Sequence, residues 1–402
     1  MPKKRKVTIA DTTEELRDDY CELFDSMERR VIGHSSALHK VKLALLIKEH
    51  VMLSGKHGLA KSFLASEVFA SFRGACFYKK QLSKSTQAEE LFGPLNLKKY
   101  QEEAIWENNT KGMLPTAHFV FLDEVYRAAD MLLPTLLGIL NEREVINGGI
   151  KYICPLQTAI GTTNFITTQN AQLDAFHDRW LFWDEMSPLG RTDKISMLIR
   201  QTDQTSARKH TMAYADLVIL QEKVAALPIE EETLTLLVEM SEMFASKDPD
   251  TYISDRRLCQ IVKGIKAIAF LEGASIASPE HLVVFSKMLP YSTTQRSKLD
   301  MLAGTTYSTL VGSYITEREE NTKLSAFEQE VLSIYRRCDS SLSSSAKQLL
   351  MEVSQELRDE ILSFNAVTPN GMNKRGHMLN RLIDILAMCG AVSPAVPAIP
   401  AS

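Results

Sequence analysis

His50-Val51-Met52-Leu53-Ser54 reads as a short buried strand, and a helix is predicted from about Lys61 to Phe72. Between them lies Gly55-Lys56-His57-Gly58-Leu59-Ala60-Lys61-Ser62. A loop in that setting aims backbone N–H groups, and the positive end of the following helix, at phosphate oxygens. Gly55 and Gly58 let the chain turn tightly. Lys61 would reach the β- and γ-phosphates, and the Ser62 hydroxyl would ligate Mg²⁺. Lys56, His57, Leu59 and Phe63 are expected to complete the nucleotide-binding segment, His57 as a solvent-facing side chain. One residue departs from the pattern G-x-x-x-x-G-K-[ST]: Ala60 stands where its second glycine is expected, and alanine is tolerated there at negative φ.

A second strand, Phe119-Val120-Phe121-Leu122, delivers Asp123 and Glu124 to its C-terminal end, where ligands bind in open α/β sheets. Asp123 is expected to hold the Mg²⁺ shell and Glu124 to polarise the attacking water as general base. Loop and carboxylates together point to ATP hydrolysis. The Asn-Lys-x-Asp guanine-recognition motif does not occur, which argues against GTP. Further apolar runs at Cys76–Tyr78 and Thr158–Gly161 alternate with helical patterns, among them 12–28 and 35–49. The fold class is α/β, a mainly parallel sheet covered on both faces. From about Asp193 the strand signals fade, and 213–226, 232–246, 255–272 and 279–289 read as helices. Helical pattern continues past residue 300, broken by the Ser-rich stretch 339–345.

The order of these motifs resembles an AAA+ ATPase, specifically the MoxR branch near RavA-like proteins, over roughly residues 12–290. Its most specific pieces are Glu90-Leu91-Phe92-Gly93-Pro94-Leu95, Gly112-Met113-Leu114-Pro115-Thr116-Ala117-His118 and Leu140-Asn141-Glu142-Arg143-Glu144. The last stands where this branch carries a helix and an inserted β-hairpin, here near Glu144 to Ile153. The phosphate loop of RavA-like proteins also resembles this one in having Ala before the Lys. The resemblance implies an AAA+ αβα P-loop domain at 8–200, an all-α lid at 201–295 and a helical C-terminal extension at 296–392.

By the same resemblance Asn164 is the sensor-1 residue that positions water. Arg179 is the arginine finger presented to a neighbouring subunit; the bland alternative is a surface Arg paired with Asp178. Arg256, with Arg257 as runner-up, is the sensor-2 contact to the γ-phosphate, and Val31-Ile32-Gly33 packs on adenine. The cofactors implied are ATP and Mg²⁺, with ATP seated between αβα domain and lid. The implied assembly is a hexameric homo-oligomer, partnered by a protein with a von Willebrand factor A-type domain and performing chaperone-like remodelling. The inserted hairpin and residues 301–402 are the expected docking elements.

Composition trims the alternatives. The chain has 402 residues, a net charge of −4 and six scattered cysteines, which fits free thiols in a reducing cytosol rather than a disulfide framework or zinc site. No apolar run approaches the roughly 18 to 20 residues of a membrane span. Four of the positive charges sit in Lys3-Lys4-Arg5-Lys6, and residues 1–7 resemble the short viral nuclear-localisation signal fused to proteins for work in mammalian cells. The expected location is therefore cytoplasmic in the native host and nuclear with the tag. The Ala/Pro-rich stretch 393–402 reads as a disordered tail. Trp106, Trp180 and Trp183 read as packing residues. A rival class is a nucleic-acid-associated AAA+ regulator with a basic stripe on its inner hairpins, for which Lys151 and Lys98-Lys99 are the available lysines. A third is a nucleotide-gated scaffold with little turnover.

Overall fold

The computed structural model describes residues 11–128, 130–164, 176–202, 210–249, 251–291, 296–337 and 344–389. The tag, the tail and most of the Ser-rich stretch lie outside them. The chain divides into two compact units, after Tyr307.

The first unit opens with helices α1 (Asp11–Glu28) and α2 (Ser35–Ile47) and enters the sheet through β1 (Val51–Ser54). Then follow α3 (Lys61–Phe69), the short β2 (Phe72–Arg73), β3 (Phe77–Gln81), α4 (Ala88–Phe92) and α5 (Leu97–Glu103). Next are β4 (Phe119–Asp123), α6 (Leu133–Glu142), the hairpin β5 (Glu144–Asn147) and β6 (Ile150–Ile153), β7 (Thr158–Thr163) and β8 (Phe182–Glu185). The main sheet has the order β3-β4-β7-β1-β8, and its pairs are all parallel. Every residue of β1 and β7 is buried, as expected for central strands covered on both faces. All five strands therefore end on one side of the sheet.

Two strands exceed or escape the sequence reading. β3 continues through Lys79-Lys80-Gln81, because an edge strand keeps polar residues that disguise it. β8 carries Trp183 in a run too short to separate from a buried helix segment by periodicity. Trp180 and Trp183 are buried, and Gly161 in β7 leaves the space Trp180 fills: a Cβ there would lie 2.7 Å from its ring. Trp106 corrects the packing expectation. It is 67% exposed, edge-on to Tyr100 in the loop beyond α5, outside the core.

Helix α7 (Arg191–Thr202) and the short β9 (Met212–Ala213) lead to α8 (Tyr214–Ala226), α9 (Glu231–Lys247), α10 (Asp255–Leu271), a 3-10 helix (Pro279–Met288) and α11 (Arg296–Tyr307). Ser254 caps α10 by accepting from the Arg257 N–H at 3.2 Å. Arg296 of α11 donates to the Ser286 carbonyl at 2.6 Å, so this helix packs with the lid elements before it.

The second unit comprises a π-turn (Ser308–Gly312), α12 (Ser313–Arg337), α13 (Ser344–Ser363) and α14 (Pro369–Met388). Its three long helices share a core that includes Leu324, Val331, Leu357, Ile361 and Leu382. Glu320 on α12 accepts from the N–H groups of Val367 and Thr368, tying down the start of α14.

Candidate nucleotide site at the strand ends

Asn164, Asp123, Glu124 and most of the predicted phosphate-loop residues meet where β1, β4, β7 and β3 end. His57 to Phe63, Gln81, Asp123, Glu124, Arg127 and Asn164 line a pocket of about 320 Å³. Gly55 begins the loop at φ 138°, and a Cβ there would lie 2.5 Å from the Met186 carbonyl oxygen beyond β8, so close passage requires glycine.

Lys61 begins α3 and is 7% exposed. Its ammonium donates to the carbonyls of Gly55, Lys56 (3.2 Å) and Thr163 (3.3 Å) and to Asn164 Oδ1 (2.6 Å). Burial pushes the Lys61 amine below its ordinary range, against the opposing pull of Glu124 and Asp123. Asn164 also donates from Nδ2 to His57 Nδ1 at 2.9 Å, so the β7 terminus is bonded to the phosphate loop at two points. His57 is exposed, as expected, yet tethered: the same ring nitrogen lies 4.0 Å from Glu124 Oε1.

Ala60 overturns one condition set by the sequence. Its φ is 59°, in the left-handed region, so the missing glycine is felt as backbone strain. Glu124 is left-handed as well, at φ 57°. Both strained residues line the pocket, the setting in which such conformations are concentrated in enzymes.

Three residues escaped the sequence reading. Thr162, wholly buried on β7, donates its hydroxyl to Asp123 Oδ1 and accepts the Glu124 N–H at 3.2 Å, fixing both acidic residues. Arg127 brings Nε to 3.4 Å from Glu124 Oε2. Gln81 is aligned with Asp123 across the β3–β4 pair. The signal for Thr162 was its place two residues before Asn164 on the neighbouring strand; Gln81 was hidden by ending β3 too early.

The donors fit the expected ligands. Ser62 and Asp123 offer hard oxygens of the kind Mg²⁺ takes alongside substrate phosphates. Glu124 is 4% exposed, and its buried Oε2, ion-paired with Arg127 at 3.4 Å, makes no hydrogen bond, so it retains acceptor capacity for a water.

Other expected residues lie elsewhere. Val31 is buried with its N–H bonded to Met27, and the adjoining Gly33 packs against Leu189, a few residues beyond the carbonyl that Gly55 approaches. Arg256 donates to Asn141 Oδ1 at 2.9 Å. Asn141 follows Leu140, whose carbonyl bonds His50 at the start of β1, so Arg256 sits at the opposite end of that strand from the phosphate loop. Arg179 Nη1 is 3.9 Å from Asp178 Oδ2, just before β8 begins. Arg179, Arg256, Val31 and Ile32 are not among the described residues lining the pocket.

Residues 18–227 match the model of the MoxR domain in MoxR–vWA–beta-propeller ternary systems, more than half of the chain. The chain belongs to the MoxR family of AAA+ ATPases. Residues 232–301 of this MoxR protein match an AAA lid domain. An uncharacterised protein of Methanocaldococcus jannaschii is 34% identical over 241 residues, 60% of this chain and 62% of that protein. The chaperone MoxR1 of Mycobacterium tuberculosis is 24% identical over 272 residues, 64% of this chain and 70% of that one. The MoxR chain thus spans 62% of the length of its jannaschii relative. A crystal structure of a candidate ATPase from Cytophaga hutchinsonii shares the fold at 16% identity, with a TM-score of 0.59, covering 73% of this chain and 96% of that one. Among the described residues of this MoxR protein, no helix is long and apolar enough to cross a membrane.

Proposed function

We propose that the chain hydrolyses ATP in a ring of like subunits and uses the cycle to remodel a partner protein complex. The observation that carries this reading is the meeting of Lys61, Ser62, Asp123, Glu124 and Asn164 around one pocket at the strand ends. Lys61 neutralises the β- and γ-phosphates, exchanging its carbonyl partners for phosphate oxygens. Ser62 and Asp123 hold Mg²⁺, which when bound spreads the charge of the transferring phosphoryl group. Glu124 takes the proton of the attacking water, which Asn164 orients. Val31 and Ile32 face the base.

Arg179 completes the site of a neighbouring subunit. The support is its place before β8, away from the lining of its own pocket. Arg256, at the far end of β1, falls to the same neighbour-facing role. The matched family description supports a von Willebrand factor A-domain partner, and the chaperone name of the mycobacterial relative supports remodelling as the work. The hairpin Glu144–Ile153 and residues 301–402 are the docking elements of this reading. The nucleic-acid alternative is left with little of the basic stripe it requires: of its three lysines, Lys151 is paired with Glu144 and Lys99 with Glu107.

Phosphate release per subunit, followed across protein concentration, tests this. Cooperative growth in activity, with loss in Arg179→Ala, is the expected result. A concentration-independent rate in a monomer refutes the shared site.

A further inference from the structure

Arg257 is the adjacent candidate for the sensor-2 role, yet its side chain is wholly buried and committed elsewhere. Its guanidinium reaches back from the first turn of α10 to the segment that carries Arg179. Nε and Nη2 each lie 3.3 Å from Asp178 Oδ1. Nη2 also reaches the carbonyls of Asp178 (3.3 Å) and Trp180 (3.4 Å), and Nη1 donates to that of Leu181 (3.0 Å). Its last bond, 2.9 Å to the Met288 carbonyl, ends on the 3-10 helix of the lid.

One cation thus joins two lid elements to the stretch between the arginine finger and β8. The Asp178 carboxylate is shared. Oδ1 serves Arg257, while Oδ2 lies 3.9 Å from Arg179 Nη1. A surface ion pair with Asp178 would fold Arg179 down onto its own chain. Arg257, with its shorter contacts and its grip on the neighbouring carbonyls, instead fixes the carboxylate and leaves Arg179 the longer, weaker contact. Burial lowers the Arg257 pKa to about 10, with Asp178 opposing that shift, so the group is charged at neutral pH.

We propose that Arg257 is a positioning residue: through Asp178 it sets the reach of Arg179, so that the angle of the lid in one subunit governs hydrolysis in the next. This rests on the shared-site reading above, with Arg179 acting in trans. It also separates the two adjacent arginines, leaving only Arg256 to approach a phosphate.

The experiment uses full-length chains. Asp178→Asn keeps the shape of the bridge and removes its charge; Arg257→Lys keeps a buried cation and removes the fork. Cooperative melts verify that each folds. Both variants are expected to lower kcat about 10²-fold, the cost of misplacing a reacting group by about 1 Å, with KM for ATP unchanged because the phosphate loop is intact.

Each variant is then co-expressed with Glu124→Gln, whose base is disabled and whose finger is intact. A junction pairing the variant's Glu124 with the other chain's finger is complete, so activity returns, as it does for Arg179→Ala co-expressed in the same way. Recovery with Arg179→Ala and none with Asp178→Asn or Arg257→Lys overturns the positioning role, since the damage then lies within the variant's own site. Undiminished kcat in both variants overturns it equally. Failure of Arg179→Ala itself to recover removes the shared site, and the positioning role falls with it.

Discussion

The two ends of the main sheet use similar local devices but join different parts of the molecule. Where the strands finish, the chain holds the Lys61 ammonium against carbonyls, leaves Glu124 Oε2 with only the longer Arg127 contact and bends Ala60 and Glu124 into left-handed conformations. Where they begin, Lys48 and Arg143 are left-handed too and Gln260 Oε1 is buried without a hydrogen-bond partner, but the bonds made there fasten the sheet to its neighbours. His50 bonds the Leu140 carbonyl at 2.8 Å and accepts the Ala159 N–H at 3.0 Å; Glu49 accepts from Gln260 and Lys263, both at 2.8 Å. Arg257 closes the same end. The first end lines the pocket, and the second holds lid and sheet together. The candidate pocket and the main contacts between lid and sheet are thus separated by the length of one strand.

That separation is tested most severely by Glu124→Gln. At the strand-finishing end the change is expected to lower phosphate release about 10²- to 10⁴-fold, the usual contribution of a general base. Stability should shift by less than about 1 kcal/mol, because the lost charge anchors no backbone. Turnover measured beside a urea melt checks both. A large loss of stability would show that the two ends are not independent.

The mirror experiment is Arg257→Ala. Removing this guanidinium leaves the carbonyls of Trp180, Leu181 and Met288 without their donor and Asp178 without its nearer cation. A cost of about 3–5 kcal/mol is expected from breaking such a buried pair. Calorimetric titration of the folded fraction should still give the ATP affinity of the unaltered chain. A mild loss of stability would remove the contrast between the ends.

Acid should also act on the second end. Burial is the main cause that holds the His50 imidazole down to about 4, with Arg143 adding to it. As pH falls through about 6.5 the unfolded chain binds this proton and the native chain does not, so stability is complete above that value and declines toward pH 4. For His50 the loss is about 3 kcal/mol. His39, also held to about 4 by burial and then by Lys287, adds to the same decline. His50→Gln should flatten roughly half of the slope in melts taken between pH 4.5 and 7.5.

The grouping of residues at the strand-finishing end was legible in the sequence because its pieces are local. Gly55 to Ser62 and Asp123-Glu124 each lie within one stretch of chain and need only a strand beside them. What stayed hidden depends on partners distant in sequence. Thr162 matters because β7 lies beside β4; Arg257 matters because α10 folds back onto residue 178. The sequence motif made Arg256 and Arg257 near equivalents, and only burial tells them apart. β8 was lost for a related reason: a four-residue buried strand carries no periodicity of its own.

The smallest effect expected is also the most direct probe of strain. Ala60 at φ 59° bears the left-handed penalty of an L-residue, roughly 1–2 kcal/mol. Ala60→Gly removes that penalty and adds about 0.5–1 kcal/mol of backbone freedom to the unfolded chain. The net gain in stability should therefore be no more than about 1 kcal/mol, read as a small rise in melting temperature. A glycine also lets the loop leave the conformation that now holds Lys61, so ATP affinity distinguishes two uses of the strain. Unchanged affinity with higher stability means the alanine is merely tolerated. Weaker affinity despite higher stability means that the alanine holds the loop in its phosphate-binding shape, at the expense of the fold.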